Sequence, residues 1–447
     1  MQGAPHPFVR PAVAGSPAGA AIHALDQRLA QVVTAPGAEL SGLAVAVSID
    51  GNLAYEGYLG RRHIAEDSQG RDLPVTSDTR FRVASISKLF LALGVMRLAE
   101  RRLLDLDCDV SDHLGFALRN PSFPERVITP RMLLCHTSSV RDGASYRFPL
   151  PATLASGFQP DGAYWEGGSH FAPPVAGIDT SPGKYFSYSN LGYGVLATLV
   201  EHISGERFDD YMANHVLQPL GLNATYSPSS LTRIDRDNLA ALYRRQCGGV
   251  WNPEGPWCAQ IDDYRGALPE MPDGIDRYRA GTNGTLFAPN GGLRATAREL
   301  LEIIHLFLDG ARGADTPLLK NTTIRAMFAD QWRYDPDRRN GNAAAGAMRA
   351  WGLGLHHLTG NPTMPGLLGD QVVAGRSDIQ LWGHLGNAYG LLGAMLFDPR
   401  RNTGLVYLIG GVSREPAIYT GTYSAFTRWE EQILSAIYAT ILQSRYA

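Results

Sequence analysis

Residues Arg80 to Met96 read RFRVASISKLFLALGVM, an apolar run that holds a single lysine, Lys88. The chain has only three lysines, Lys88, Lys184 and Lys320, against 37 arginines. Where arginine is so preferred, a lysine in an apolar helix invites a chemical reason: arginine cannot give up its proton to serve as a base. The pattern predicts a helix from near Ser85 to about Arg101. Ser85 and Lys88 lie three apart on it, so their Cβ atoms share one face about 5–6 Å apart. Ser85 falls in the first turn, where unsatisfied N–H groups and the helix dipole favour a developing anion. The flanking Val83, Ile86, Leu89, Phe90 and Leu91 predict burial, which disfavours an ammonium and moves Lys88 toward a state that can accept the Ser85 proton. Taken alone, the same spacing fits a capping serine and a lysine that snorkels to solvent.

The rest of the chain sets this helix in context. Residues 22–33 carry apolar residues near helical spacing, and 42–60 alternate as two strands joined at Asp50-Gly51. Residues 191–220 predict two helices, with Gly205 and Pro219 as end marks. From 228 to 290 periodicity is poor, as in a long covering insertion. Residues 296–310 form a strongly amphipathic helix ending at Gly310, with Leu300, Ile303, Ile304 and Phe307 on one face. Strand-like runs follow at 381–399 and 403–412, and a helix over about 423–442 closes the chain. Strands thus cluster at both ends and helices in the middle. The expected organisation is α+β: a discontinuous sheet domain from 20–84 and 291–447, and a mostly helical domain from 85–290 with long loop insertions.

Two further clusters carry polar chemistry. YFSYSNLGYG (185–194) places Tyr188 and Asn190 two apart in a turn before a helix, so that a phenol and an amide face the same way. The phenol would pass protons to a leaving group, and the amide would bond an acyl substituent and Lys88. WGHLGNAYG (382–390) lies on a predicted strand where Gly383 and Gly386 admit a close approach by substrate and His384 points into the same cleft. The N–H of Asn387, with that of Ser85, would form an oxyanion hole, in which each donor is typically worth ~10²–10³ in rate. Each cluster singly also fits a structural role: a core tyrosine, an asparagine at a helix start, a glycine-bearing strand with a buried histidine.

The three together, in this order, resemble the serine β-lactamase and penicillin-binding-protein superfamily, in the branch with class C β-lactamases, DD-peptidases, D-aminopeptidases and family VIII carboxylesterases. SISK (85–88), YSN (188–190) and HLG (384–386) correspond to that family's SxxK, YxN and KTG-or-HxG motifs. LLCHTSS (133–139), GGLRATARELL (291–301) and WGLGL (351–355) extend the likeness. The resemblance implies a β-lactamase/transpeptidase-like fold, an antiparallel sheet flanked by helices with the site in a cleft against an inserted helical domain. It further implies Ser85 as acylated nucleophile, Lys88 as its base, Tyr188 as proton shuttle, and the N–H groups of Ser85 and Asn387 as oxyanion hole beside Gly386. No cofactor or metal is called for, since HExxH, GxGxxG and P-loop motifs are absent, and the lack of GxSxG speaks against an α/β-hydrolase.

Two departures bear on substrate. His384 stands where class C lactamases carry lysine, which removes a permanent positive charge for a β-lactam carboxylate. Ser139 stands where glycine is usual after HTS. Aromatic residues in 146–186 and 246–265, among them Tyr146, Phe148, Phe158, Trp251 and Trp257, form either an apolar acyl or alcohol pocket or a cover for the helical domain. The expected activity is hydrolysis of carboxylic esters or small amides. The alternatives are a D-amino-acid peptidase or DD-carboxypeptidase, a weak β-lactamase, and a sensor that acylates without turnover. A net charge of −3 gives no basic footprint for nucleic acid, so the partner is a small-molecule ester, amide or peptide. No apolar run reaches the ~18–20 residues of a membrane span. Residues 1–21 lack the order of a secretory signal; family likeness favours a periplasmic or secreted location, with a cytoplasmic one still open. Cys247 and Cys258 flank a turn-rich loop and are either a disulfide or free thiols.

Overall fold

The computed structural model describes residues 17–65 and 70–446; most of the opening segment read for a signal lies outside them. Strand β1 (Gly42–Ile49) is buried along almost its whole length because its two faces enter different cores. Leu43, Val45 and Val47 join one cluster, and Ala44 and Ala46 the other, as period-two alternation dictates. The chain turns at Asp50-Gly51, both at positive φ (53° and 76°), into β2 (Asn52–His63). This is the two-residue hairpin that Asp-Gly favours. Near the other terminus β3 (Leu381–Ala388), β4 (Leu391–Asp398) and β5 (Thr403–Ile409) form a meander, and β5 pairs with β1. The nine-stranded sheet runs Leu73–Pro74, β2, β1, β5, β4, β3, His356–Leu358, Ala350–Trp351, Trp332–Arg333. Every neighbouring pair is antiparallel.

Residues 381–399, expected as one strand-like run, are thus two strands. Tyr389 and Gly390 make the turn at φ 57° and 90°. A tyrosine in the left-handed region is uncommon, so the sequence carries no usual turn signal there. At Gly390 a Cβ would come within 2.0 Å of the Tyr243 carbonyl, which requires glycine.

Helices α1 (Pro17–Val33) and α5 (Arg428–Tyr438) cover one face of the sheet. On the other face lies α4 (Ala297–Arg312), with Leu300, Ile303, Ile304 and Phe307 in the core. Two helix ends differ from expectation. α4 runs through Gly310, whose lack of a Cβ lets Ile324 pack on it, and stops at Gly313 (φ 100°). α5 starts at Arg428 rather than near 423, because the N–H groups of Thr422, Tyr423 and Ser424 wrap the Glu431 carboxylate and a Thr427–Glu430 capping box begins the helix.

The helical side holds α2 (Ser87–Glu100) and α3 (Asn190–Ser204) packed together. α2 is apolar nearly all round and buried accordingly. The second helix expected before Pro219 survives as a short turn at Phe208–Met212, then widens and tightens before Gly221. The insertion at 228–290 is more ordered than its sequence indicates. Leu242–Cys247 pairs with Val250–Trp251 and Trp257–Ile261 and lies parallel to Gly411–Val412, which ties it to the end of β5. Cys247 faces Val250 and Cys258 faces Arg244, and both thiols are free. Among the described residues no helix is long and apolar enough to cross a membrane.

Candidate active site

Between Phe81 and Met96 every residue is buried except Ser85. The chain reaches it through Ala84, held at φ 48°, a conformation that is costly for a residue with a Cβ and is common at functional turns. Ser85 sits in a tight turn, Ala84–Ile86, that leads into α2, rather than inside the helix proper. Ser87 locks this turn: its hydroxyl donates to the Ala84 carbonyl (2.6 Å) and accepts from the Leu293 N–H (3.0 Å). β3 presses against the turn, since a Cβ on Gly386 would stand 2.7 Å from the Val83 carbonyl. Gly383, at φ 149°, would meet the Met395 carbonyl at 1.8 Å. Both glycines serve the approach of backbone to backbone, and Gly386 also lines the cleft.

Lys88 is fully buried, and its amine reaches Ser85 Oγ at 3.0 Å, Asn190 Oδ1 at 2.7 Å and the Asn290 carbonyl at 2.9 Å. The rings of Tyr188 and Tyr193 close around it, 4.9 and 5.7 Å from the amine. Burial pushes the Lys88 amine down to about 7, and the nearby Asp142 carboxylate works against that fall. Burial pushes the Tyr188 phenol up, opposed by its hydrogen bond with Ser85, so at neutral pH it is a proton donor. The structure therefore brings Ser85, Lys88, Tyr188 and Asn190 into one cluster.

Asp142 and Asn290 also hold this cluster together, and sequence reasoning did not single them out. Asp142 Oδ1 accepts from the N–H groups of Asn190 (2.7 Å) and Leu191 (2.8 Å), at the open start of α3. Its Oδ2 accepts from Asn190 Nδ2 (2.7 Å). That bond fixes which way the amide faces, leaving Asn190 Oδ1 for Lys88 and for Asn290 Nδ2 (3.2 Å). The only local signal was its place just beyond HTSS. Replacing Asp142 with asparagine is expected to lower kcat/KM by about 10²-fold through misorientation. It also removes a charge that favours the ammonium, so the acid limb of the pH–rate profile moves to lower pH; an unmoved limb would reduce Asp142 to a helix cap.

His136 and Ser139, in LLCHTSS, sit at φ 57° and 64°. Serine at 139 thus adopts the left-handed form that glycine takes easily, and its hydroxyl accepts from Asn120 Nδ2 (3.2 Å). His136 Nδ1 accepts from the Ser189 N–H (3.1 Å), and its ring lies 4.4 Å from that of Tyr188. His384 is buried and lines the cleft, its ring 6.3 Å from Tyr188. Its Nδ1–H donates to the Leu385 carbonyl (2.7 Å). Burial and the neighbouring Lys88 hold it well below the ordinary histidine range, so the ring is neutral.

The cleft has two lobes that share Ser85, Asn190 and Asn387. The larger, of about 520 Å³, is lined by Tyr188, Trp351, His384, Gly386, Met348, Leu368 and Phe426. The smaller, of about 250 Å³, is bordered by Arg82, Tyr146, Arg147, Asn290 and Tyr389. Of the aromatic residues read as either pocket lining or a cover for the helical domain, Tyr146 lines the cleft. Phe148, Phe158 and Phe171 belong to the helical core, and Trp251 and Trp257 lie under Arg244 and Arg245. The apolar wall comes instead from 344–368 and 416–430.

A family model described as Beta-lactamase matches residues 29–425. Penicillin-binding protein 4 of Amycolatopsis lactamdurans is 32% identical over 185 residues, 41% of this chain and 43% of that protein. The match thus spans less than half of that relative's length. Among solved structures, a class C beta-lactamase aligns with TM-score 0.62 and 17% identity, covering 96% of this chain and 98% of its own. A D-amino acid amidase from Ochrobactrum anthropi SV3, complexed with L-phenylalanine amide, aligns with TM-score 0.61 and 18% identity over 95% of this chain and 99% of its own.

Proposed function

The chain belongs to the beta-lactamase family, and from that premise we propose that it is a serine hydrolase cleaving carboxylic esters or small amides through an acyl-enzyme on Ser85. The observation that carries this reading is the fully buried Lys88 amine, 3.0 Å from a half-open serine hydroxyl. In its neutral form the amine takes the Ser85 proton as Oγ attacks the carbonyl carbon. The N–H groups of Ser85 and Asn387 receive the oxyanion. Tyr188 gives its proton to the departing oxygen or nitrogen and is reprotonated from Lys88. Water then attacks the ester on Ser85 and releases the acid, with the same groups acting in reverse. Esters and small amides are favoured over β-lactams because His384 is neutral where a permanent cation would hold a β-lactam carboxylate. Activity on D-amino-acid peptides is the second reading, in line with the D-amino acid amidase among the solved structures of the same fold.

The test compares p-nitrophenyl butyrate, a chromogenic cephalosporin and a D-alanyl peptide. Repeated turnover of the ester supports the proposal; turnover of the peptide alone supports the second reading. A single stoichiometric burst with all three indicates a sensor. Because the base must be unprotonated, kcat/KM for the ester is expected to rise with pH through about 7 and level off above it. A flat profile from pH 5.5 to 8.5 would remove Lys88 from that role.

A further inference from the structure

Arg82 faces Arg294 directly across the short antiparallel pair Phe81–Arg82 and Arg294–Ala295. Like charges in that position repel, and a buried cation needs a compensating anion. Asp262 is close enough to act on both, but its hydrogen bonds do not go to Arg82. Asp262 is engaged by Arg294 through two bonds (2.7 and 3.0 Å) and accepts a third from the Tyr264 hydroxyl (3.1 Å). Asp142, on the far side, is committed to Ser189, Asn190 and Leu191. Arg82 is about nine-tenths buried. Its Nε donates to the Gly291 carbonyl (3.0 Å), and the Tyr389 ring lies 5.3 Å from its guanidinium carbon. Its two terminal nitrogens make no hydrogen bond to the described residues, and Arg82 lines the smaller lobe. Arg147, exposed, borders the same lobe and adds a second positive charge.

Resting on the hydrolase reading above, we propose that the smaller lobe binds a carboxylate carried by the acyl part of the substrate, with Arg82 and Arg147 as its partners. The assignment to the acyl side follows from Tyr188. This proton donor to the leaving group lines only the larger, apolar lobe, so the leaving group goes there and the acyl chain enters the smaller one. About 250 Å³ suits a short chain, such as a half-ester of a four- or five-carbon dicarboxylic acid. Guanidinium groups recognise a carboxylate in a paired, planar geometry that a neutral amide of the same shape does not reproduce.

The experiment compares methanol release from monomethyl glutarate and from its neutral isostere, methyl 5-amino-5-oxopentanoate. The wild type is expected to favour the acid by at least about tenfold in kcat/KM, with the preference shrinking as salt is added. Arg147→Gln should lower that ratio several-fold and Arg82→Gln should bring it near one. A wild-type ratio of one or less, or a ratio that survives both substitutions, overturns the carboxylate site and leaves the hydrolase reading in place. If Arg82→Gln does not fold, the wild-type ratio and Arg147→Gln decide. If neither ester is cleaved, the hydrolase reading fails separately, and titration calorimetry with glutarate then judges the lobe: binding weakened by Arg147→Gln supports it, and no binding to the wild type overturns it.

Discussion

Changing Ser85 to alanine is expected to abolish covalent labelling by a fluorophosphonate and to lower ester kcat/KM by a factor on the order of 10⁴–10⁶, the range for loss of a nucleophile that works as one unit with its base. The expectation rests on exposure as much as on chemistry. Ser85 alone is open in an otherwise buried stretch of sixteen residues, and the tight turn at Ala84 holds it there. The fold should not suffer. The Lys88 amine keeps its bonds to Asn190 and Asn290 when the hydroxyl is removed, so the melting temperature should stay within a few degrees of wild type. A variant that unfolds would show nothing about mechanism, which is why labelling and thermal stability are measured on the same preparation. Labelling that persists in the folded Ser85→Ala protein would place the nucleophile elsewhere.

What the sequence made legible is what short-range spacing controls. The Asp50-Gly51 hairpin, the SxxK pair one helical turn apart and the YxN pair in a turn before α3 all depend on neighbours within a few residues. The joining of the two chain ends in one sheet was legible too, because strand patterns cluster there and the family likeness agrees. Contacts between distant loops were not. Asp142 orients Asn190 from 48 positions away, and Asn290 reaches Lys88 from 202 away. A lone Asp in VRDG and an Asn in PNGG give no periodic signal of such a task. The aromatic insertions left two readings open for a related reason: Phe148, Phe158 and Phe171 have the composition of a binding pocket, and only the fold shows them packing on one another and on His170 in the core. Arg82, two residues from an apolar run, reads as ordinary strand-end charge until its register against Arg294 is known.

Lys88→Arg is expected to be nearly as damaging as loss of the serine, with kcat/KM falling by about 10⁴-fold, at the upper end of what a general base contributes. Charge is retained in this variant, so a purely electrostatic role for the lysine predicts substantial activity. A proton-accepting role predicts almost none, since guanidinium does not deprotonate in the working range. Packing complicates the arginine variant. The amine fills a site bounded by three acceptors at 2.7–3.0 Å and two tyrosine rings, and a larger, permanently charged fork will strain it. Lys88→Met separates the two effects, because it fits the same volume without charge and should fold at least as well as wild type once a buried amine is gone. If the methionine protein is stable and equally inactive, lost stability cannot account for the arginine result. Activity within tenfold of wild type in Lys88→Arg would instead show that the positive charge suffices, and the rise of rate through pH 7 would then have to belong to another group. His384 and His136 are poor candidates for that group, because burial holds both neutral far below pH 7, which leaves the Lys88 amine as the site residue whose protonation changes where the rate is expected to change.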